Sequence, residues 1–311
     1  MQSRCRPLAL LHLLLALLLL GGSASTAGER SDEAVVGQVA VPLKVVLFSG
    51  HRYVAPGDLG LPSPVPLMIH GNARLFLSLT HDVAERVCGH VIEKREEYGY
   101  SSRGKGAIDV PLMRLGERRF EKLSGVPVFD FTEDGDSTVG GMLGTRFLME
   151  AGAAVDFSRD RLVLGVARVD GPNATLVARG YRYVPVTVSR EGRVTIPAYF
   201  PRLRRTLPIT PSTVSNALTL HRPLFTGKVR MRRTASPDRS PHGTTPEEYV
   251  GEVSFDIVGV AYRDTALFED LAEYANTPES ELESYGMLGF DWMTRHRAIL
   301  DYANRALYFL R

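Results

Sequence analysis

Short runs of apolar or alternating residues, separated by turn residues, dominate the chain from about residue 40 onward. The first half contains AVPLKVVLF, VPLMIHG, ARLFLSL, AIDVPLMRLG, AAVDF and RLVLGVARV, and the second half contains YRYVPVTV, RVTIPAYF, TLPITPSTV, GEVSFDIVGVAY, RAILDY and RALYFL. Runs this short with a period of two are typical of β-strands. The sequence therefore predicts a mostly β fold built from barrels or sandwiches.

Helical patterns are few and short. They occur in HDVAERV, STVSNALTL, TRFLMEAG, FDWMTRH and TALFEDLAEYA. Each of these segments predicts a short helix between strands.

One 24-residue stretch of the chain occurs twice. GMLGTRFLMEAGAAVDFSRDRLVL at 141–164 returns as GMLGFDWMTRHRAILDYANRALYF at 286–309 without a gap. Seven positions are identical, including the pair Asp156 and Asp301, and most of the others are similar in type. A similarity of this length favours duplication of a lobe-sized unit over a solenoid, whose repeats are about 20–50 residues long.

The N-terminus has the features of a secretory signal peptide in the expected order. Arg4 and Arg6 precede the apolar run PLALLHLLLALLLL, and the small residues GGSASTAG follow it. We expect residues 1–25 to be cleaved and the protein to be exported to a periplasm, a secretory-pathway lumen or the cell exterior. The alternative is a membrane anchor, but the run has 14 residues and a spanning helix needs about 20. No membrane span is expected after cleavage.

Composition argues against several classes of function. The net charge of +2 falls to about zero when the two arginines of the signal peptide leave, which gives no support to a nucleic-acid partner. Without Cys5, Cys88 has no cysteine partner, so the fold must rest on buried apolar surface. The histidines lack metal-ligand spacing, and the sequence contains no GxSxG, HExxH or phosphate-binding glycine loop. We expect no metal and no cofactor.

Two lobes of similar length are predicted, over residues 34–168 and 178–311, joined by a polar link at residues 169–177. The link contains the sequon NAT, so Asn173 is a candidate for glycosylation in a eukaryotic host. In the second lobe, KVRMRR at 228–233 alternates basic and apolar residues. This pattern favours a solvated edge strand over a dedicated anion site.

The two copies of GMLG resemble an element of a known family. A hydrophobic pair and a glycine, then an aromatic residue, a short helix, AxxD[FY] and a last strand resemble the C-terminal half of a retropepsin-like or pepsin-like aspartic protease lobe. The two elements here are Met142-Leu143-Gly144 and Met287-Leu288-Gly289. VPLMIHGNARLFL resembles the hairpin before that family's active-site loop. The resemblance implies two pseudo-symmetric β-barrel lobes with short helices, facing each other across a peptide-binding cleft.

The resemblance also implies one aspartate in each lobe, within an Asp-Thr/Ser-Gly loop. Two such carboxylates share a proton and activate a water molecule. Aligned on a threonine, the loops are predicted at Leu79-Thr80-His81-Asp82 and Ile209-Thr210-Pro211-Ser212. Leu79 and Ile209 then replace the aspartates, and aliphatic side chains cannot take a proton. Both motifs are therefore degenerate, and the expected cleft-loop residues are Thr80, His81, Thr210, Pro211 and Ser212.

Two acids offer alternatives to a lost catalytic pair. Asp82 lies three positions after Leu79, where it is also suited to cap a helix. Asp264 begins an Asp-Thr-Ala triplet, but it lies in the strand region before the second GMLG.

Together these features predict an exported, monomeric, pepsin-like protein that lacks the catalytic pair and binds a peptide or protein in the cleft. The alternative is an active aspartic endopeptidase whose carboxylates lie elsewhere in the fold. An enzyme of a different class has no matching residue pattern in this sequence.

Overall fold

The computed structural model describes residues 35, 37–47, 50–90, 102–130, 138–190, 192–234, 247–275 and 277–311. The predicted signal peptide, residues 1–25, lies outside the described residues. Among the residues that are described, no helix is long and apolar enough to cross a membrane.

The first lobe contains strands β2 to β10 and two short helices. The strands are β2 (Lys44–Leu47), β3 (His51–Asp58), β4 (Val65–His70), β5 (Leu77–Leu79), β6 (Ser102–Leu115), β7 (Arg118–Asp130), β8 (Gly141–Gly144), β9 (Ala154–Asp156) and β10 (Arg161–Leu164), and the helices are α1 (His81–Cys88) and α2 (Thr145–Glu150). Strands β2 to β8 form one sheet in the order β2-β3-β4-β8-β5-β7-β6. A further pairing of β3 with β6 closes six of these strands into a barrel.

The second lobe repeats this organisation with strands β12 to β21. The strands are β12 (Thr187–Val188), β13 (Val194–Phe200), β14 (Arg205–Pro211), β15 (Leu218–His221), β16 (Met231–Thr234), β17 (Glu248–Ile257), β18 (Val260–Glu269), β19 (Gly286–Leu288), β20 (Ile299–Asp301) and β21 (Ala306–Phe309). Its helices are α4 (Arg222–Phe225), α5 (Leu271–Ala275) and α6 (Phe290–Arg295), with a 3₁₀ turn at Glu279–Glu281. The sheet order is β12-β13-β14-β19-β15-β18-β17-β16, and pairing of β13 with β17 closes the barrel.

A third sheet joins the two lobes. Its order is β1-β10-β9-β20-β21-β11, where β1 spans Val39–Pro42 and β11 spans Arg182–Pro185. The last hairpins of the two lobes meet at the centre of this sheet. There β9 and β20 pair antiparallel, with Val155 opposite Leu300. The order of strands is therefore the same when read from either end, as expected for two lobes related by a pseudo-twofold axis.

A buried aspartate holds the turn of each of these hairpins. Asp156 accepts hydrogen bonds from the backbone N–H and hydroxyl of Ser158, at 3.0 and 2.6 Å, and lies 3.1 Å from Nε of Arg161. Asp301 accepts the backbone N–H and the Nδ2 of Asn304, at 3.0 and 2.8 Å. Burial raises the pKa of Asp301, and the bonds from Asn304 oppose that shift. Both aspartates stabilise turns.

One hydrophobic cluster extends through both lobes. Its largest fully buried side chains include Trp292, Tyr53, Phe147 and Phe255. Tyr53 of the first lobe packs against Phe290 of the second, with ring centroids 4.8 Å apart. Burial of side chains this large contributes about 1.5–3 kcal/mol each, so the lobes are stabilised by a common core.

The predicted fold class is confirmed, since the chain is mostly β and forms barrels with a few short helices. Three of the predicted helices correspond to α1, α2 and α6. The prediction of a helix over STVSNALTL is wrong, because this segment is a loop followed by β15. TALFEDLAEYA divides between β18 and α5, and the predicted link at 169–177 contains the start of a short helix, α3 (Ala174–Ala178).

Candidate functional site

The GMLG strand of each lobe lies between two strands that a loop connects. β8 is parallel to β4 and antiparallel to β5, and β19 is parallel to β14 and antiparallel to β15. The connecting segments are residues 71–76 in the first lobe and 212–217 in the second, here called the first and second central loops. The two loops are equivalent, because they follow equivalent strands.

The strand register identifies which residues of the two lobes correspond. Ile69 pairs with Leu143, and Pro211 pairs with Leu288. Since Leu143 and Leu288 are equivalent in the repeated stretch, the residues that follow Ile69 and Pro211 are equivalent too. These residues are His70 and Ser212.

The two central loops are hydrogen-bonded to each other through Thr213. Its Oγ1 donates to the carbonyl oxygen of Ile69 at 2.9 Å and accepts the backbone N–H of Gly71 at 3.0 Å. Thr213 has no exposed surface. The contact therefore fixes the second loop against the first in a dry environment, where each hydrogen bond is strengthened.

Gly71 is the counterpart of Thr213 in the first loop. A Cβ atom at this position would lie 1.8 Å from the hydroxyl oxygen of Tyr302, which belongs to the second lobe. The hydroxyl of Tyr302 is buried without a hydrogen-bond partner among the described residues, and burial raises the pKa of this side chain. Tyr302 fills the space that a side chain at position 71 would need. The side-chain hydrogen bonds between the two loops therefore come from Thr213 of the second lobe, and Gly71 supplies no matching side chain.

His70 presents an unpaired nitrogen at the end of β4. Its Nδ1 is buried and has no hydrogen-bond partner among the described residues, although the residue as a whole keeps some exposed surface. The pKa of His70 is lowered to about 4, mainly by burial and also by the positive charges of Arg52 and Arg193, while a backbone hydrogen bond opposes the shift. The imidazole is therefore neutral at neutral pH.

Ser212 directs its hydroxyl back toward its own loop. Oγ accepts the backbone N–H groups of Val214 and Ser215, at 3.2 and 2.9 Å, and Nδ2 of Asn72 lies at 3.5 Å. The Oδ1 of Asn72 is buried and has no hydrogen-bond partner among the residues that the structure describes. No hydrogen bond joins Ser212 to a histidine within the described part of the chain, so the hydroxyl lacks the adjacent base that an activated serine needs.

Neither central loop can supply the chemistry of an aspartic protease. The segments HGNARLF, residues 70–76, and STVSNA, residues 212–217, contain no Asp or Glu. Two carboxylates close together are required to share a proton and position the attacking water. The equivalent positions hold a neutral imidazole and a hydroxyl instead.

The predicted positions of the lost aspartates are corrected by the strand register. Leu79 is buried at the end of β5, and Ile209 is buried within β14. These strands are not equivalent, because β5 corresponds to β15 and β14 corresponds to β4. Leu79 and Ile209 are therefore core residues of separate barrels, and His70 and Ser212 take their place as the equivalent pair.

The residues predicted around Leu79 lie at the start of α1. Thr80 precedes the helix and donates through Oγ1 to the carbonyl oxygen of Gly140 at 3.2 Å. His81 is buried, with Nδ1 3.6 Å from a carboxylate oxygen of Glu85. Asp82 is exposed in the first turn of the helix, where a negative charge is favoured by the helix dipole. These residues belong to a helix and not to a central loop.

The residues predicted in the second lobe lie nearer the centre. Thr210 and Pro211 are the last two residues of β14, both buried, and Ser212 opens the second central loop. Asp264 lies on β18, where its carboxylate is 2.5 Å from Nη2 of Arg295. Asp264 is thus engaged in an ion pair on the barrel wall.

The threonine that joins the lobes is Thr213, and not Thr80 or Thr210, from which the loop positions were predicted. The signal that could have located both loops is the parallel pairing of the GMLG strand with the strand just before the loop. That pairing is long-range, and no local pattern specifies it.

A cavity of about 570 Å³ borders the GMLG strand of the second lobe. It is lined by Arg193, Leu271, Tyr274, Ala275, Thr277, Glu281, Leu282, Glu283, Ser284, Gly286 and Met287. Its volume falls within the range of about 300–1,000 Å³ that is usual for ligand pockets. We call it the β19 cavity.

The equivalent methionines of the two lobes have different surroundings. Met142 is buried in a small apolar cluster with Val54, Met68 and Val139. Met287 is half-buried and lines the β19 cavity. The equivalent methionines therefore differ in exposure, and Met287 is the one that borders a cavity.

The β19 cavity and His70 are linked electrostatically through Arg193. Arg193 lines the cavity, lies 3.5 Å from a carboxylate oxygen of Glu283, and contributes to the lowered pKa of His70. The wall of the cavity thus combines apolar side chains with a few charged groups. This mixture is typical of sites that bind a ligand in one orientation.

The candidate glycosylation site lies at the start of α3. Oδ1 of Asn173 accepts the backbone N–H groups of Thr175 and Leu176, at 3.0 and 3.2 Å. The Nδ2 atom, to which a glycan would be attached, has no hydrogen-bond partner among the described residues. Glycosylation of Asn173 stays a prediction.

No metal site is found in the described part of the chain, since no three His, Cys, Asp or Glu residues come together there.

No protein-family model matches the chain, and no curated protein matches it. Among solved structures, the chain is similar to the crystal structure of basic 7S globulin from soybean, with a TM-score of 0.46 and 11% sequence identity. The match covers 88% of this chain and 94% of the globulin chain. An identity this low says nothing about function.

Proposed function

We propose that the protein is a non-proteolytic, pepsin-like binding protein that is exported and acts as a monomer. The observation that carries this proposal is the identity of the two equivalent residues at the centre of the fold. They are His70 and Ser212, where an aspartic protease needs two acids.

Loss of the carboxylates removes the chemistry but leaves the architecture that positions the loops. Thr213 holds the two central loops together, and the GMLG strand of each lobe retains its place between two neighbours. A scaffold preserved without its catalytic groups is suited to recognition, because function resides in the site and not in the fold.

The ligand we propose is a short peptide segment, bound in the cleft beside the second central loop with a side chain in the β19 cavity. Leu271, Leu282 and Met287 offer apolar contact there, while Arg193, Glu281 and Glu283 can bond to polar groups of a peptide. The unpaired Nδ1 of His70 and Oδ1 of Asn72 supply further hydrogen-bonding groups near the centre.

Leu282→Arg is expected to weaken peptide binding at least tenfold, because it places a long charged side chain in the β19 cavity. Leu282 is partly exposed, so the barrel can tolerate the change. Peptides are selected by the wild-type protein from a phage-displayed library, resynthesised, and titrated by calorimetry.

The matched control is Val177→Arg, which adds the same side chain at a residue 46% exposed on α3. It is expected to bind the selected peptides as the wild-type protein does. Failure of the library to yield a binding peptide, or equal binding by Leu282→Arg and the wild type, contradicts the proposed site.

A further inference from the structure

A second cavity, of about 700 Å³, lies on the outer side of the second barrel and is rich in cations. It is lined by Arg202, Lys228, Val229, Arg230, Met231, Arg232, Val250, Gly251, Glu252, Val253, Ser254 and Arg263. None of these residues belongs to a central loop or to the β19 cavity. We call it the basic cavity.

The sequence KVRMRR builds one wall of this cavity from a turn and the start of β16. Lys228 lies in the turn, and Arg230 and Arg232 flank Met231 where the strand begins, so that their side chains share a face. Val229 and Met231 pack against the main hydrophobic cluster. The apolar positions thus anchor the segment to the barrel and leave the basic ones in the cavity.

β16 forms one side of the cavity. Among the described strands it lies at the edge of its sheet, as predicted, and pairs with β17, so that Met231 lies opposite Gly251. A Cβ atom on Gly251 would be 2.6 Å from the carbonyl oxygen of Arg230. Glycine at this point allows the backbone of the basic segment to approach β17 and form the wall.

Four cationic side chains of the cavity have no partner among the described residues. The side chains of Arg202, Lys228, Arg230 and Arg232 form no ion pair or hydrogen bond there. The one acid in the lining, Glu252, is engaged by Arg263. Four unpaired positive charges around one concave surface repel one another, and a concave surface focuses their field on whatever enters it.

We propose that the basic cavity is a binding site for a ligand that carries two or more phosphate or sulfate groups. Guanidinium groups bind the oxygens of such groups in pairs, through charge-assisted hydrogen bonds. The volume accommodates a compact oligoanion or a short segment of a sulfated glycan. The sequence pattern alone favours a solvated edge strand. Such a strand does not explain why Arg202, which lies in a different turn, lines the same cavity.

Pyrophosphate and a heparin-derived tetrasaccharide are the probes that test this site. We expect the wild-type full-length protein to bind at least one of them, with an affinity that falls as NaCl is raised. The Lys228→Gln/Arg230→Gln variant is expected to bind at least tenfold more weakly. Preference for one probe identifies the source of the anionic groups as a small phosphate compound or as a glycan.

The control variant is Arg168→Gln, which removes an exposed cation from a residue outside the cavity. It should bind both probes as the wild type does. A thermal melt without ligand provides a second readout, because removal of two repelling charges should leave the midpoint unchanged or raised while the ligand-induced shift is lost. The proposal is overturned if the wild type binds neither probe. It is also overturned if the Lys228→Gln/Arg230→Gln variant binds the probes as well as the Arg168→Gln control does.

Discussion

Replacement of Thr213 by Val is expected to destabilise the protein by about 2–4 kcal/mol. Valine has nearly the same shape, but it removes the hydroxyl that bonds to Ile69 and Gly71 across the two lobes. The N–H of Gly71 and the carbonyl of Ile69 would stay buried, and each buried group without a partner costs about 1–3 kcal/mol. Urea unfolding followed by tryptophan fluorescence measures the loss, since Trp292 is buried in the core.

Thr213→Ser is the control for this change, because serine keeps the hydroxyl and loses only a methyl group. We expect it to cost about 1 kcal/mol, the usual value of a buried methyl(ene) group. Equal loss of stability in the valine and serine variants would mean that packing, and not the hydrogen bonds of Oγ1, accounts for the role of Thr213.

Replacement of Gly289 by Ala is expected to have an effect at least as large, about 3 kcal/mol or more. The new Cβ would lie 2.3 Å from the carbonyl oxygens of both Ala217 and Asn216. These are backbone atoms of the second central loop, and the carbonyl of Asn216 also accepts the N–H of Asp291 at the start of α6. Strain of this kind cannot be relieved by rotation of a side chain, so the loop itself must move.

The backbone conformation of Gly289, at φ −78° and ψ 174°, is one that alanine adopts readily. Any loss of stability in Gly289→Ala therefore reports the steric clash of the new Cβ and not backbone strain. Gly60→Ala is the opposite case, since Gly60 has φ +77° and nothing within 4 Å of an added Cβ. It should cost only about 1–2 kcal/mol, the strain of the left-handed region. Equal midpoints for the two variants in urea would contradict the close approach of the central loop to the GMLG strand.

The fold class was accessible from the sequence because its signals are local. Alternation along the strands and the turn residues between them predict a β protein, and the repeated GMLG stretch specifies two equivalent hairpins that meet in the shared sheet. The duplication of a lobe-sized unit and the exact lobe boundaries stay predictions.

The central loops were not accessible in the same way, because long-range pairing defines them. STVSNALTL has helical composition, yet its last residues join β15, which is flanked by β18 and β19. Tertiary pairing overrides the local preference there. His70 and Ser212 become recognisable as a pair only when both parallel pairings to the GMLG strands are known.

The basic cavity could be predicted only in part. The alternation in KVRMRR predicts an edge strand, but Arg202 lies more than 20 residues earlier in the chain, and no local pattern places it beside that strand. Its arrival in the same cavity depends on the closure of the barrel through β13 and β17.

A proteolysis assay tests the central claim, the loss of catalysis, most directly. The purified wild-type protein is incubated with an unfolded protein substrate between about pH 3 and 7, the range in which an aspartic dyad holds its shared proton. We expect no cleavage and no effect of pepstatin, whose central hydroxyl requires two carboxylates. Pepstatin-sensitive cleavage would contradict the account, and loss of that cleavage in Asp82→Asn or Asp264→Asn would locate the acid that His70 and Ser212 do not provide.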